Sequence, residues 1–104
     1  MSSYAPDNWV VLQFLEPTMH YRVLAGWSGG YLNGDSWRLN SGITKVTEVE
    51  GVLNFHGATG SVYKCRKTGY CLRKNNAGVW DQIKELKGDS VELLPETTDW
   101  LKLV

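Results

Sequence analysis

Few residues in this sequence are equipped for chemistry, and their spacing limits what chemistry they can do. Gly26-Trp27-Ser28-Gly29-Gly30 matches the G-x-S-x-G pattern of a nucleophile elbow. That device needs a strained strand-to-helix turn that lifts the serine hydroxyl above a helix amino terminus. The residues that follow, through Asn33-Gly34-Asp35, belong to a hairpin. Ser28 is therefore read as part of a Gly-rich strand end and not as a nucleophile.

His20, His56, Cys65 and Cys71 are the only soft metal ligands. Cysteines six positions apart do not make the C-x-x-C knuckle of a structural zinc site, and no second cysteine pair exists. No metal and no cofactor are expected. If Lys67-Thr68-Gly69 is a three-residue loop, Cys65 stands opposite Cys71 as one of two small apolar neighbours. A two-residue Thr68-Gly69 turn would set it opposite Leu72 instead. The histidines lie far apart in sequence, and no residue pattern brings either to a cysteine as a nucleophile pair. Glu48 and Glu50 share a face of an exposed strand, without the apolar pocket that would split their pKa values. The expectation is a protein without a catalytic site.

Charge is more informative. Eleven basic and eleven acidic residues cancel overall, which argues against a wholesale polyanion binder. They are not evenly spread. Residues 1–50 carry a net −2, residues 51–80 carry five bases and no acid, and residues 81–104 carry a net −3. In the three-residue-loop register, Lys64, Arg66, Tyr70, Leu72 and Lys74 share one face of a 64–74 hairpin. The basic and aromatic residues of this hairpin are the leading candidate surface: Lys64, Arg66, Lys67, Tyr70, Arg73 and Lys74. An acidic protein partner suits it through electrostatic steering. Single-stranded nucleic acid is the alternative, because an aromatic among cations is a stacking platform. A solvated face whose lysines resist edge-to-edge pairing is the bland alternative. A second candidate is a small-ligand or carbohydrate site at Trp27, Tyr31, Asp35, Trp37, Arg38 and Asn40. Against it, Trp37 and Leu39 have the spacing of an inward face, so Trp37 is expected in the core.

The elements that must position these residues follow from periodicity. At 104 residues, 42% hydrophobic and 21% charged, the chain has the size and composition of one globular domain, 1–104. Residues 1–7 are small, polar and contain Pro6, and are expected to form a flexible arm. Residues 9–15 are apolar on both faces, as in a strand covered on both sides. From Met19 to Trp27 the odd positions are apolar, the clearest half-buried strand in the chain. Asn33-Gly34 is a hairpin signal joining 30–32 to 36–39. Further strands are expected at 43–50, 52–56, 61–66, 70–74 and 91–94. Val79, Trp80, Ile83 and Leu86 fall at helical spacing between Asn76 and Gly88, which predicts one short helix near 78–87. Residues 98–103 fit either a strand or a helical turn. The fold class expected is mainly β, an antiparallel sheet curled into a small barrel or sandwich with one helix.

The amino-terminal residues lack a basic n-region and an apolar h-region, and no apolar run approaches the roughly 20 residues of a membrane span. A soluble cytoplasmic protein with no membrane partner is expected, its cysteines thiols. A symmetric dimer that closes a sheet edge is compatible with this reading.

Overall fold

Stretches rich in β-branched and aromatic residues, punctuated by glycine and asparagine, form strands throughout the computed structural model, which describes residues 2–30 and 34–104. The strands are β1 (Ser3–Tyr4), β2 (Asn8–Phe14), β3 (His20–Gly30), β4 (Gly34–Leu39), β5 (Ile43–Val49), β6 (Val52–Gly57), β7 (Val62–Arg66) and β8 (Val91–Leu93). A single α-helix, α1 (Ala77–Lys87), precedes β8. Two four-stranded sheets, ordered β1-β7-β6-β5 and β4-β3-β2-β8, make a sandwich and do not close into a barrel. All strand pairs are antiparallel except β1 with β7.

The main core lies between the sheets. Trp9 and Val11 of β2, Val23 and Ala25 of β3, Leu53 and Phe55 of β6, and Tyr63 and Cys65 of β7 meet there. Residues at i and i+2 share a strand face, so the odd-numbered periodicity of β3 is the inward face of its sheet. The alternate residues of β2 are buried as well. Val10, Leu12 and Phe14, with Leu24 and Val91, lie under Val79, Trp80 and Ile83 of α1. One sheet is thus covered on both sides, which explains the unbroken apolar run in β2. The other keeps its outer face in water, as an antiparallel sheet is able to do.

Aromatic rings fill the end of the main core. Trp9 lies 5.2 Å from Phe55, 4.7 Å from Tyr70 and 5.4 Å from Trp100, centre to centre. Such pairs contribute about 0.5–1.5 kcal/mol each beyond area burial. Trp100 begins a short 3-10 turn, Trp100–Lys102, which resolves the carboxy-terminal segment as a helical turn. Glu50 (φ 49°) and Gly51 (φ 80°) make the tight turn between β5 and β6.

Several expectations are corrected. Residues 2–7 are not a free arm: β1 pairs with β7, Val62 N donates to the Ser2 carbonyl at 2.9 Å, and Asp7 N to the Gly26 carbonyl at 2.9 Å. Cys65 opposes Leu53, not Cys71 or Leu72, because β7 takes β6 as its partner. Lys67–Gly69 is a 3-10 turn that carries the chain out of the sheet, so residues 70–74 form no strand and the 64–74 hairpin does not exist. Trp37 is 52% exposed rather than buried. It lies opposite Gly26 on the outer face of its sheet, on the edge strand β4. The β3–β4 hairpin is present, with Gly30 paired to Gly34. Its turn, including Asn33 and the strand residues expected at 31–32, lies outside the described residues.

Candidate functional site

The open face of the β1-β7-β6-β5 sheet is set by strand alternation around the Glu50-Gly51 turn. Cross-strand pairing places Lys45 opposite His56, Thr47 opposite Asn54 and Val49 opposite Val52. The next strand adds Val62 beside His56, Lys64 beside Asn54 and Arg66 beside Val52, and Ser3 of β1 completes the row at Val62. On β6 and β7 these residues alternate with the buried Leu53, Phe55, Tyr63 and Cys65, and their cross-strand partners on β5 and β1 share the outward face. Lys64 and Arg66 are about 7 Å apart along β7, and Lys45, two strands away in the row of Val62, lies roughly 12 Å from Lys64 and roughly 16 Å from Arg66.

No Asp or Glu of these four strands shares that face. Glu48 opposes Leu53 on the inward side, where it receives the Lys67 ammonium at 3.0 Å. Glu50 is in the turn. Lys45, Lys64 and Arg66 have no ion-pair partner among the described residues. A shallow groove of ≈430 Å³ crosses the face between Thr47, Asn54, His56 and Lys64 and the amino-terminal Ser2 and Ser3. A second depression is lined by Ala5, Pro6, Val52, Lys64 and Arg66.

The candidate basic set is therefore divided. Lys64 and Arg66 are on the open face, and Lys67 is at the sandwich edge with Glu48. Tyr70 is in the interior: its hydroxyl accepts from Val11 N at 3.2 Å and donates to the Leu94 carbonyl. Burial pushes its pKa up to about 12. Arg73 and Lys74 are exposed on the segment that crosses to the other sheet, where Arg73 N donates to Asn76 Oδ1 at 2.9 Å. Lys45, Thr47 and Asn54 join the face without having been singled out, and His56, weighed above only as a metal ligand, joins it with them. Their signal was the alternation of 45, 47, 49 against 52, 54, 56 about a Glu-Gly turn.

The aromatic candidate set is also divided. Trp27 is half-buried, donates Nε1 to the Ala5 carbonyl at 3.1 Å, and meets Tyr4 edge-on. The Arg38 guanidinium covers Tyr4 at 4.6 Å, in the range of a cation–π contact. Asp35 and Trp37 lie on the opposite sheet face, where Asp35 Oδ1 accepts weakly from Gly29 N at 3.4 Å. Asn40 is buried at the far end of β4, accepting from Val23 N at 2.9 Å, and its Nδ2 has no partner among the described residues. Tyr31 lies outside the described residues. The five described residues form no common groove.

Ser28 lies at a bulge in β3, its hydroxyl accepting from Asn75 Nδ2 at 3.0 Å. No helix follows it. Asn75 also donates to Asn8 Oδ1 at 2.7 Å, and Asn8 Nδ2 reaches Asn76 Oδ1 at 3.2 Å and the Cys71 carbonyl at 3.2 Å. This buried amide cluster anchors residues 71–76, and with them α1, onto the sheet. It is a structural lock, since buried amides persist only when paired. Cys65 is fully buried and its thiol pKa is raised by desolvation. Among the described residues no group of three His, Cys, Asp or Glu side chains could hold a metal ion.

Fold and face together define a mainly β sandwich with one helix-covered sheet and one open basic sheet. No family model matches the chain, and no curated protein or solved structure matches it significantly. Among the described residues no helix is long and apolar enough to cross a membrane.

Proposed function

We propose that this chain is a non-enzymatic binding protein that docks an acidic surface of a partner protein on the open face of its β1-β7-β6-β5 sheet. The observation that carries this reading is the clustering of Lys45, Lys64 and Arg66, with His56 between them, on a face to which its strands contribute no carboxylate. Cations at this spacing reinforce one another's field and accelerate encounter with an acidic surface. Thr47 and Asn54 supply neutral hydrogen-bonding groups in the centre, and Val49, Val52 and Val62 supply apolar area. That mixture suits a protein interface better than a phosphate backbone. With Tyr70 turned into the core, the face has no Phe, Tyr or Trp on which a base could stack, which weighs against single-stranded nucleic acid.

The test compares tagged wild type, Lys45→Glu/Lys64→Glu/Arg66→Glu and the control Arg73→Glu/Lys74→Glu in pull-downs from host lysate. The control reverses charge on the far side of the sandwich. A protein retained by wild type and the control but lost by the triple variant, with capture that weakens as salt is raised, supports the reading. Both variants should melt close to wild type, since surface changes cost within about 0.5 kcal/mol each. Retention by all three proteins alike would overturn it. Nuclease-sensitive absorbance at the ultraviolet maximum of nucleic acid would transfer the face to the alternative ligand.

A further inference from the structure

On the other side of the sandwich, the carboxy-terminal half of α1 stands off the ends of β2 and β3 and leaves a groove of ≈250 Å³. Phe14, Leu39, Ile83 and Leu86 form its apolar walls. Leu86 is 82% exposed although it faces this groove, so an apolar wall is left in water.

Three residues at the mouth hold one another in place. His20 stacks on Phe14, with ring centres 5.1 Å apart and planes 11° from parallel. Its Nδ1 lies 2.7 Å from the Thr18 carbonyl, which can only accept, so Nδ1 carries the proton and Nε2 presents a lone pair. Arg22 Nε donates to that lone pair at 3.2 Å, and its guanidinium lies over Phe14 at 5.4 Å. The guanidinium is thereby fixed through one nitrogen and one ring face. Its terminal nitrogens make no hydrogen bond or ion pair with any described residue. Glu16 lines the same groove without pairing to Arg22, and Lys87 on the helix offsets its charge.

We infer that this groove binds a small amphipathic carboxylate, of the size and shape of octanoate. A planar guanidinium with its free edge outward matches a carboxylate in two parallel hydrogen bonds. The walls beyond it are hydrocarbon, which suits an alkyl chain. At roughly 30 Å³ per water-sized group, the groove takes on the order of eight non-hydrogen atoms, so octanoate, with about ten, fills it and leaves the end of its alkyl chain at the open mouth. The site lies on the sheet opposite the basic face and needs none of its residues, so each stands or falls alone.

The probe is sodium octanoate, titrated into isotopically labelled full-length protein and followed by methyl and amide NMR, with 1-octanol as the uncharged comparison. Octanoate should move the methyl signals of Leu39, Ile83 and Leu86. Octanol should bind about tenfold more weakly or worse, and octanoate should bind Arg22→Gln with a similar loss. Leu86→Glu, at an exposed position, should abolish binding with the amide spectrum otherwise unchanged. Octanoate that shifts none of these methyls, or octanol that binds wild type as well as octanoate does, would overturn the inference. If Arg22→Gln loses the folded spectrum, the octanoate-to-octanol ratio on wild type and the Leu86→Glu result decide it.

Discussion

Gly26→Ala adds one methyl group at a buried position of β3, directly against the amide lock. A Cβ built there falls 2.1 Å from Asn75 Oδ1 and 2.4 Å from Asn75 Cγ, where ordinary contact is about 3.5–4.0 Å. Asn75 has little room to yield: it is 5% exposed, and its Nδ2 is committed to Asn8 Oδ1 and Ser28 Oγ. Overpacking of this kind costs about 1–3 kcal/mol. Expelling Asn75 also orphans the buried Asn8 Oδ1, at about 1–3 kcal/mol more. A total of about 2–6 kcal/mol is expected, which for a domain of this size lowers Tm by more than about 8 °C. Urea denaturation followed by tryptophan fluorescence measures it, in a cycle with Asn75→Ala and the double variant. Asn75→Ala alone should cost about 1–3 kcal/mol for the unpaired Asn8 acceptor. In the double variant the new methyl occupies space that the amide has left. It should therefore be no less stable than Gly26→Ala alone, with a coupling of about 1–3 kcal/mol. A Gly26→Ala cost under about 1 kcal/mol, or two single costs that simply add, would refute the lock.

Two further outcomes follow from burial. Tyr70 has its pKa raised from 10.0 to about 12, so its neutral form is favoured in the folded state, and the stability it contributes is complete below pH 10 and is lost as pH rises toward 12. Urea midpoints measured across that window should fall more steeply for wild type than for Tyr70→Phe, and equal slopes would contradict the assignment. Thiol reagents should modify Cys71 in the native protein and Cys65 only on unfolding, because Cys65 is fully buried with its thiol pKa raised; two equivalents consumed under native conditions would be the contrary result.

The mainly β class, the helix after Asn76 and most strands were legible because their signals are local. β5 and β6 are two alternating runs about a tight turn, and the helix has its apolar positions at 3.6-residue spacing between a cap and a glycine stop. What local pattern failed to give was the partner of each strand. Lys67-Thr68-Gly69 has the composition of a hairpin turn, yet the chain leaves the sheet there, because Tyr70 gains more by entering the core beside Trp9 and Trp100 than by pairing with β7. That one choice removed Tyr70, Arg73 and Lys74 from the basic face. Trp37 was misplaced for a related reason: alternation tells which residues share a face, but not how far a covering helix extends over it. The amide lock was invisible too, since Asn8 and Asn75 are 67 residues apart and each, taken alone, reads as a turn residue.

A polar outer face is not itself a reason to expect a partner, since an antiparallel sheet with one wet side is an ordinary solution. The distribution of sign is what separates this face from a merely solvated one. A soluble surface ordinarily intersperses both charges, and this chain has equal numbers to intersperse. Instead Lys45, Lys64 and Arg66 are gathered on the open sheet, whose one inward carboxylate, Glu48, is occupied by Lys67, whereas α1 with the turn after it mixes both signs, Asp81, Glu85 and Asp89 with Lys84 and Lys87. Lys64 and Arg66, two residues apart on one strand face, repel each other, so the arrangement costs stability in the free protein. A lysine edge against aggregation accounts for Lys45 on β5, the strand that ends the sheet. Lys64 and Arg66 lie on β7 beyond the two pairs that β1 makes with it, and under the proposed reading their mutual repulsion is what an acidic surface would relieve on meeting the face.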